Sequence, residues 1–204
     1  MAARASVAAV TGLLIAAAGA GATAQSTGTP IFEAPYRAFA QSEIGISLAE
    51  PGSGYDLEGS YRAGLTRTID LGLRGGLHNY AGHHAPTNAL LGADLRARLV
   101  THTESFPMDG SFTLGLGFES GNHATVGYLP IGFSMGRRVL VEGSQISLVP
   151  YAQPVVTLLF GDGSGTDLSL GFGLDARITP RLDLRFSAAV GDISGVGFTA
   201  AFLH

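Results

Sequence analysis

The chain is expected to fold as an all-β protein, an up-and-down antiparallel barrel with ten strands favoured and eight as the runner-up. Three observations predict this. Apolar residues recur at every second position over segments of about ten residues, the spacing that puts alternate side chains on opposite faces of a strand. Short breaks rich in Gly, Pro and Asp separate the segments. Beyond the first two dozen residues there is no near-continuous apolar run long enough to cross a membrane as a helix.

The alternation is clearest at the end of the chain. Leu168, Leu170, Phe172, Leu174 and Ala176 are interleaved with Ser169, Gly171, Gly173, Asp175 and Arg177. After the turn Thr179-Pro180-Arg181, Leu182, Leu184, Phe186, Ala188 and Val190 alternate with Asp183, Arg185, Ser187 and Ala189. Beyond Gly191-Asp192 and Gly195, a third run sets Val196, Phe198, Ala200 and Phe202 on one face.

Taken from the start, residues 1–24 read as a signal peptide. Arg4 supplies the positive region, Val7 to Ala18 the apolar stretch, and Ala22-Thr23-Ala24 a small-residue cleavage site that places the mature start at Gln25. Residues 25–35, with Ser, Thr, Gly and two prolines, read as a flexible lead-in, and 36–204 as the barrel. The first strand is expected within Tyr36–Ala49, with Ile44, Ile46 and Leu48 on one face. The second carries Tyr55, Leu57, Tyr61 and Ala63, and the third Ile69, Leu71 and Leu73. His78 to Thr87 reads as a polar loop. The fourth strand alternates Leu91, Leu95 and Leu99 with Asp94, Arg96 and Arg98, and the fifth carries Phe112, Leu114, Leu116 and Phe118. The sixth, about Ala124–Gly136, contains Pro130, which predicts a bulge or kink. The seventh, about Gln145–Phe160, precedes the turn Gly161–Gly165.

Composition narrows the function classes. There are no cysteines among the 204 residues, which removes disulfides, thiolate nucleophiles and cysteine-held zinc. The net charge of −4 argues against a nucleic-acid partner. The polar face mixes Gly and Ser with Asp56, Glu58, Asp70, Asp94, Glu119, Asp175 and Asp183 against Arg62, Arg74, Arg96, Arg98, Arg177 and Arg185. Opposite charges and small residues suit a narrow polar lumen, because buried charges need partners. An exported chain with this pattern is therefore expected to turn its apolar face to lipid.

On its signal peptide, its alternating strands and its amphipathic last strand Val196-Gly197-Phe198-Thr199-Ala200-Ala201-Phe202, the chain resembles the small outer-membrane β-barrel proteins of Gram-negative bacteria, the opacity-type and outer membrane protein A-type transmembrane barrels. The resemblance implies a transmembrane barrel in the cell outer membrane, with outer-membrane lipid as its surroundings. It also implies that Val196, Phe198, Ala200 and Phe202 serve as a C-terminal signal for the barrel-assembly machinery. Without Trp, interface anchoring would fall to Tyr36, Tyr55, Tyr61, Tyr128 and Tyr151.

The expected role is non-enzymatic, either envelope integrity or limited passive passage of small solutes, with no cofactor. The Arg–carboxylate set is read as a structural filling of the lumen rather than a charged constriction, since barrels of eight to ten strands have little interior space. Two alternatives stand beside it, a soluble periplasmic barrel holding an apolar ligand and a lipid-modifying barrel enzyme. For the enzyme, Glu119, Ser120 and His123 lie together at a tip, but without the strand spacing that would put Ser and His on one face. His78, His83 and His84 share a loop without an acidic neighbour, so a solvated loop is favoured over a metal site.

Overall fold

A computed structural model describes residues 26–35, 41–82, 85–121 and 124–204. The signal peptide expected at 1–24 lies outside the described residues, as do Tyr36, His83, His84 and His123. The strands are β1 (Glu43–Glu50), β2 (Gly54–Gly64), β3 (Ile69–Tyr80), β4 (Thr87–Val100), β5 (Asp109–Ser120), β6 (Thr125–Gly136), β7 (Val139–Leu140), β8 (Ser147–Gly161), β9 (Gly165–Thr179), β10 (Leu182–Gly191) and β11 (Gly195–Leu203).

All pairings are antiparallel. β1 through β6 form a meander, β6 continues onto β8, and β8 through β11 form a second meander. β11 then pairs with β1, with Ile44 opposite Phe202 and Leu48 opposite Phe198. That pairing closes the ring at ten strands, the number favoured from the sequence. β7 is a two-residue spur paired only with the start of β8 and is not part of the wall. Pro130 produces no register shift: β6 pairs through it with β8, where it stands opposite Thr157, while the ladder to β5 skips Leu129 and Pro130 and resumes in the same register.

The ends of the barrel differ. The His204 amide donates to the Ser42 carbonyl oxygen (2.9 Å), so both ends of the wall meet at one rim, here the terminal rim. The other rim carries the connections from β1 to β2, β3 to β4, β5 to β6, β8 to β9 and β10 to β11.

The strand period decides where side chains go, and here it puts the apolar ones outside. Ile46 is 64% exposed, Leu91 66% and Phe202 62%, whereas Asp70 and Arg96 on the opposite face are each 1% exposed. Exposed Leu, Ile and Phe occur on every wall strand from β1 to β5 and again on β9 to β11, with Ile131 on β6 and Val156 and Leu158 on β8. An apolar belt around the outside and charges within is the arrangement of a barrel solvated by hydrocarbon. Tyr55 and Tyr61 face outward near opposite ends of β2, where interface anchors belong. Tyr128 and Tyr151, expected in the same role, instead point inward and are buried, because each stands in the inward phase of its strand.

The stretch from Ser26 to Pro35, expected as a lead-in ahead of the barrel, lies inside the lumen and is buried throughout. Inward-facing glycines make room for it. A side-chain carbon at Gly117 would fall 1.4 Å from the Ser26 carbonyl oxygen, and one at Gly171 would fall 2.5 Å from the Phe32 ring. Phe32 packs with Ala34, Val149, Tyr151, Val155, Ala189 and Ile193 in a small apolar cluster inside the barrel. Pro30 is fixed by Ser187, whose hydroxyl donates to its carbonyl oxygen (2.7 Å). The chain thus threads the lumen from Pro35, beside Gly136 near the terminal rim, to Ser26, beside Gly92 and Gly117 in the opposite half.

Orientation of the apolar face gives a direct test. Leu73, 53% exposed and near the middle of β3, faces outward. Leu73→Arg should cost about 2–4 kcal/mol when the barrel is unfolded from lipid bilayers, the depth-dependent price of a cation at the midplane. On a water-facing wall the same change would be close to neutral, so urea titration from vesicles separates the two.

Candidate functional site

The lumen contains two ionic clusters and a polar mouth. The first cluster is built by the inward positions of β2, β3 and β4. Asp70 of β3 is paired with Arg96 of β4, and Gly72 of β3 lies between Arg62 of β2 and Asp94 of β4. A side chain on Gly72 would collide with the Arg62 guanidinium, so its absence lets Arg62 cross β3 and engage Asp94. Arg62 also bonds Asp70 (2.5 Å), and Arg96 bonds the other oxygen of Asp70 (2.6 Å).

Glu33 joins this cluster from the threaded segment. Its carboxylate lies 3.0 Å from Arg62, 2.9 Å from Arg74 and 3.1 Å from Arg96. Arg96 additionally donates to the Ala34 carbonyl oxygen (2.7 Å), and the Ser134 hydroxyl donates to that of Glu33 (2.9 Å). Glu58 lies at the edge, 4.0 Å from Arg74, and accepts a hydrogen bond from Thr27 (3.0 Å). One carboxylate on the segment is thus held by three arginines on the wall.

The second cluster spans β1, β9 and β10. Both amino groups of Arg185 donate to the Glu43 carboxylate (3.0 and 2.6 Å), and Arg185 also approaches Asp175 (3.5 Å) and Asp183 (3.6 Å). Arg177 makes a two-pronged pair with Asp183 (2.8 and 3.1 Å). Arg98 is near the terminal rim, partly exposed, and donates to the Arg67 carbonyl oxygen (3.2 Å).

Asp56 and Glu119 stand apart from both clusters, at the mouth opposite the terminal rim. Glu119 accepts hydrogen bonds from Tyr80 (2.8 Å), Asn88 (2.8 Å) and Tyr128 (2.9 Å). Asp56 is bonded to His78, which stands directly opposite it across the β2–β3 pair. Asp56, His78, Tyr80, Glu119 and Tyr128 line a cavity of about 200 Å3, to which Thr27 and Gly28 of the threaded segment also contribute.

The structure therefore distributes the sequence-derived charge set. Arg62, Asp70, Arg74, Asp94 and Arg96 are brought together with Glu58 beside them, Asp175, Arg177, Asp183 and Arg185 form a separate group, and Asp56 and Glu119 belong to the mouth. Glu33, Glu43 and His78 were missed. Glu43 was within reach of the alternation, since it shares the phase of Gly45 and Ser47 opposite Ile44 and Ile46. Glu33 carries no such signal. His78, assigned to a loop, is an inward residue of β3. Glu119 and Ser120 face opposite sides of the wall, with Ser120 paired to Thr125 outside (3.0 Å). Val196, Phe198 and Phe202 project outward from β11, with Ala200 on the same face. Among the described residues no group of three or more His, Asp or Glu is arranged to hold a metal ion.

No family model and no curated protein matches the chain. Among solved structures, it is similar to the β domain of the Bordetella autotransporter BrkA, with a TM-score of 0.52 and 15% identity over 80% of this chain and 98% of that one. The N-terminal β-barrel domain of Pseudomonas aeruginosa OprF aligns with a TM-score of 0.37 and 14% identity over 81% of this chain and 98% of that one. With its closed antiparallel ring, the chain has the fold of the outer-membrane β-barrels.

Removing Glu33 leaves buried guanidinium groups short of a partner. Glu33→Ala should therefore lower unfolding free energy by about 3–5 kcal/mol, the usual penalty for breaking a buried ion pair. Urea titration of the refolded barrel followed by tyrosine fluorescence measures it. A loss no larger than roughly 1 kcal/mol, the size expected of an exposed pair, would show that Glu33 is not held in the lumen.

Proposed function

We propose that this protein is an outer-membrane barrel sealed by its own N-terminal segment, and that it serves the envelope as a structural element. One observation carries the reading: an apolar outer wall encloses a lumen filled by residues 26–35 and tied to that wall through Glu33. A filled lumen with paired charges adds rigidity but leaves no continuous aqueous path. Export by a signal peptide at 1–24 and recognition of Val196, Phe198, Ala200 and Phe202 by the assembly machinery complete the proposal; the exposure of this face on β11 supports the latter. Nothing in this role calls for catalysis.

Passage of small solutes is the second reading, and it requires the segment to leave. A soluble barrel holding an apolar ligand finds no support, because the interior is charged and occupied while the apolar side chains face out. With the terminal rim in the periplasm, the external connections are those from β1 to β2, β3 to β4, β5 to β6, β8 to β9 and β10 to β11, too short to build a broad adhesive surface.

Two measurements test the proposal. The protein should stay in the membrane pellet through carbonate or urea washing and should change electrophoretic mobility when boiled in detergent; release into the supernatant would overturn the membrane assignment. In planar bilayers the refolded wild type should give no reproducible single-channel steps. Glu33→Ala and Gly117→Val, which release or displace the segment, should give them. Regular steps from the wild type would replace the sealed barrel with a conducting one.

A further inference from the structure

The mouth opposite the terminal rim contains a serine, a histidine and an aspartate in series, and the envelope role uses none of them. Ser53 lies in the turn between β1 and β2, Asp56 follows in β2, and His78 stands opposite Asp56 in β3. Asp56 Oδ1 is in close hydrogen-bond contact with His78 Nδ1, and His78 Nε2 lies 3.4 Å from Ser53 Oγ. The acid and the base are buried, at 1% and 5% exposure, while the serine is open to solvent. This is the order a nucleophile relay needs: a shielded carboxylate orients the imidazole, and the imidazole addresses a hydroxyl on the substrate side.

Local structure holds the three in place. The Tyr80 ring meets the imidazole edge-on, with centroids 4.1 Å apart. Gly52, with φ of 79°, allows the tight turn that carries Ser53, and the Ala81 amide donates to the Ser53 carbonyl oxygen (2.9 Å), tying that turn to the end of β3. All three residues line the cavity of about 200 Å3, to which the threaded segment contributes Thr27 and Gly28. Nε2 and Oγ are 3.4 Å apart, at the long end for a hydrogen bond, and catalytic hydrogen bonds of this kind commonly shorten only in the complex with substrate.

We propose that Ser53, His78 and Asp56 form a hydrolytic site for short-chain carboxylic esters. Ser53 Oγ attacks the carbonyl carbon while its proton passes to His78 Nε2. The bond to the alcohol oxygen breaks as Nε2 returns that proton to the departing oxygen. Water, giving its proton to the same nitrogen, then attacks the acyl carbon; the bond from that carbon to Ser53 Oγ breaks as Nε2 returns the proton to Oγ, which releases the carboxylic acid and restores the serine hydroxyl. Asp56 acts as a positioning residue through Nδ1–H. The small cavity limits the acyl chain, and Asp56 and Glu119 disfavour esters that carry negative charge. Glu119, already engaged by Tyr80, Asn88 and Tyr128, contributes field rather than proton transfer.

The experiment treats the refolded full-length barrel with an uncharged fluorophosphonate, maps the adduct by mass spectrometry, and compares hydrolysis of p-nitrophenyl butyrate with its anionic succinate analogue. The adduct should fall on Ser53 and vanish in Ser53→Ala and His78→Ala, and the butyrate ester should be the faster substrate. Asp56→Asn should slow hydrolysis on the order of 10⁴-fold, as loss of the orienting carboxylate does in a serine triad. It should also move the midpoint of the rate–pH curve to lower pH, since of the two carboxylates facing the imidazole, Asp56 and Glu119, only the second remains; a merely structural tie between β2 and β3 would not move it. The heat-dependent mobility shift verifies that each variant is folded, and Ser53→Ala, at an exposed turn, keeps the test valid if His78→Ala fails to refold. No adduct on Ser53 in folded wild type, an adduct that persists without His78, or hydrolysis unchanged by Ser53→Ala would overturn the proposal. None of these outcomes bears on bilayer conductance, so the sealed-barrel reading stands or falls separately.

Discussion

A chain that crosses hydrocarbon must satisfy every backbone N–H and C=O within itself, and for strands this is possible only when the sheet has no free edge. The β1–β11 pairing, eight residues long from Glu43–Leu203 to Glu50–Val196, meets that demand here. Everything else follows from the closed ring. Closure gives each strand one outward face and one face to a confined interior, so the two-residue period separates an apolar exterior from a charged lumen.

Confinement then governs the interior. Charges that leave bulk water need partners, and the walls supply most of them by register: Asp70 against Arg96, Arg177 against Asp183, and Arg62 reaching Asp94 across the bare backbone of Gly72. Arg62, Arg74 and Arg96 are completed by Glu33 from the threaded segment. Their attraction and the glycine-lined channel act together: Gly92, Gly117, Gly171 and Gly197 provide the space, and Glu33 provides the reason for that segment to remain in it. The segment in turn shapes the mouth, because Thr27 and Gly28 form part of its wall. Lumen stability and any chemistry at Ser53 and His78 thus share one element.

The wall was largely legible in the sequence. Alternation located the strands and assigned Asp70, Asp94 and Arg96 to one face and Leu91 and Phe202 to the other, because side-chain direction in a strand is a local property. Pro130 marks a missing N–H, and its effect is local: the ladder to β5 skips Leu129 and Pro130, but the register on either side is the same, so the bulge expected there does not form. Tyr128 and Tyr151 were misplaced because residue type was weighed above phase, and phase sends both inward. The mouth was legible only in part: alternation put Asp56 and Glu119 on the inward face but did not bring them to Ser53 and His78. Ser53 and Asp56 lie close in sequence, but His78 meets them only through the β2–β3 register, and its neighbours His83 and His84 drew it into a loop assignment.

By itself the sequence determined the strand period, the near-absence of alternatives to a β fold, and the chemical character of each face, since all of these are set by neighbours within a few residues. Tertiary structure alone decided that Ile44 would meet Phe202 to close ten strands, that residues 26–35 would occupy the lumen, and that Glu33 would bind three arginines from three strands. The reason is physical: a lumen has a volume and a field only after the wall has closed, and a segment without periodicity finds its place by fitting both.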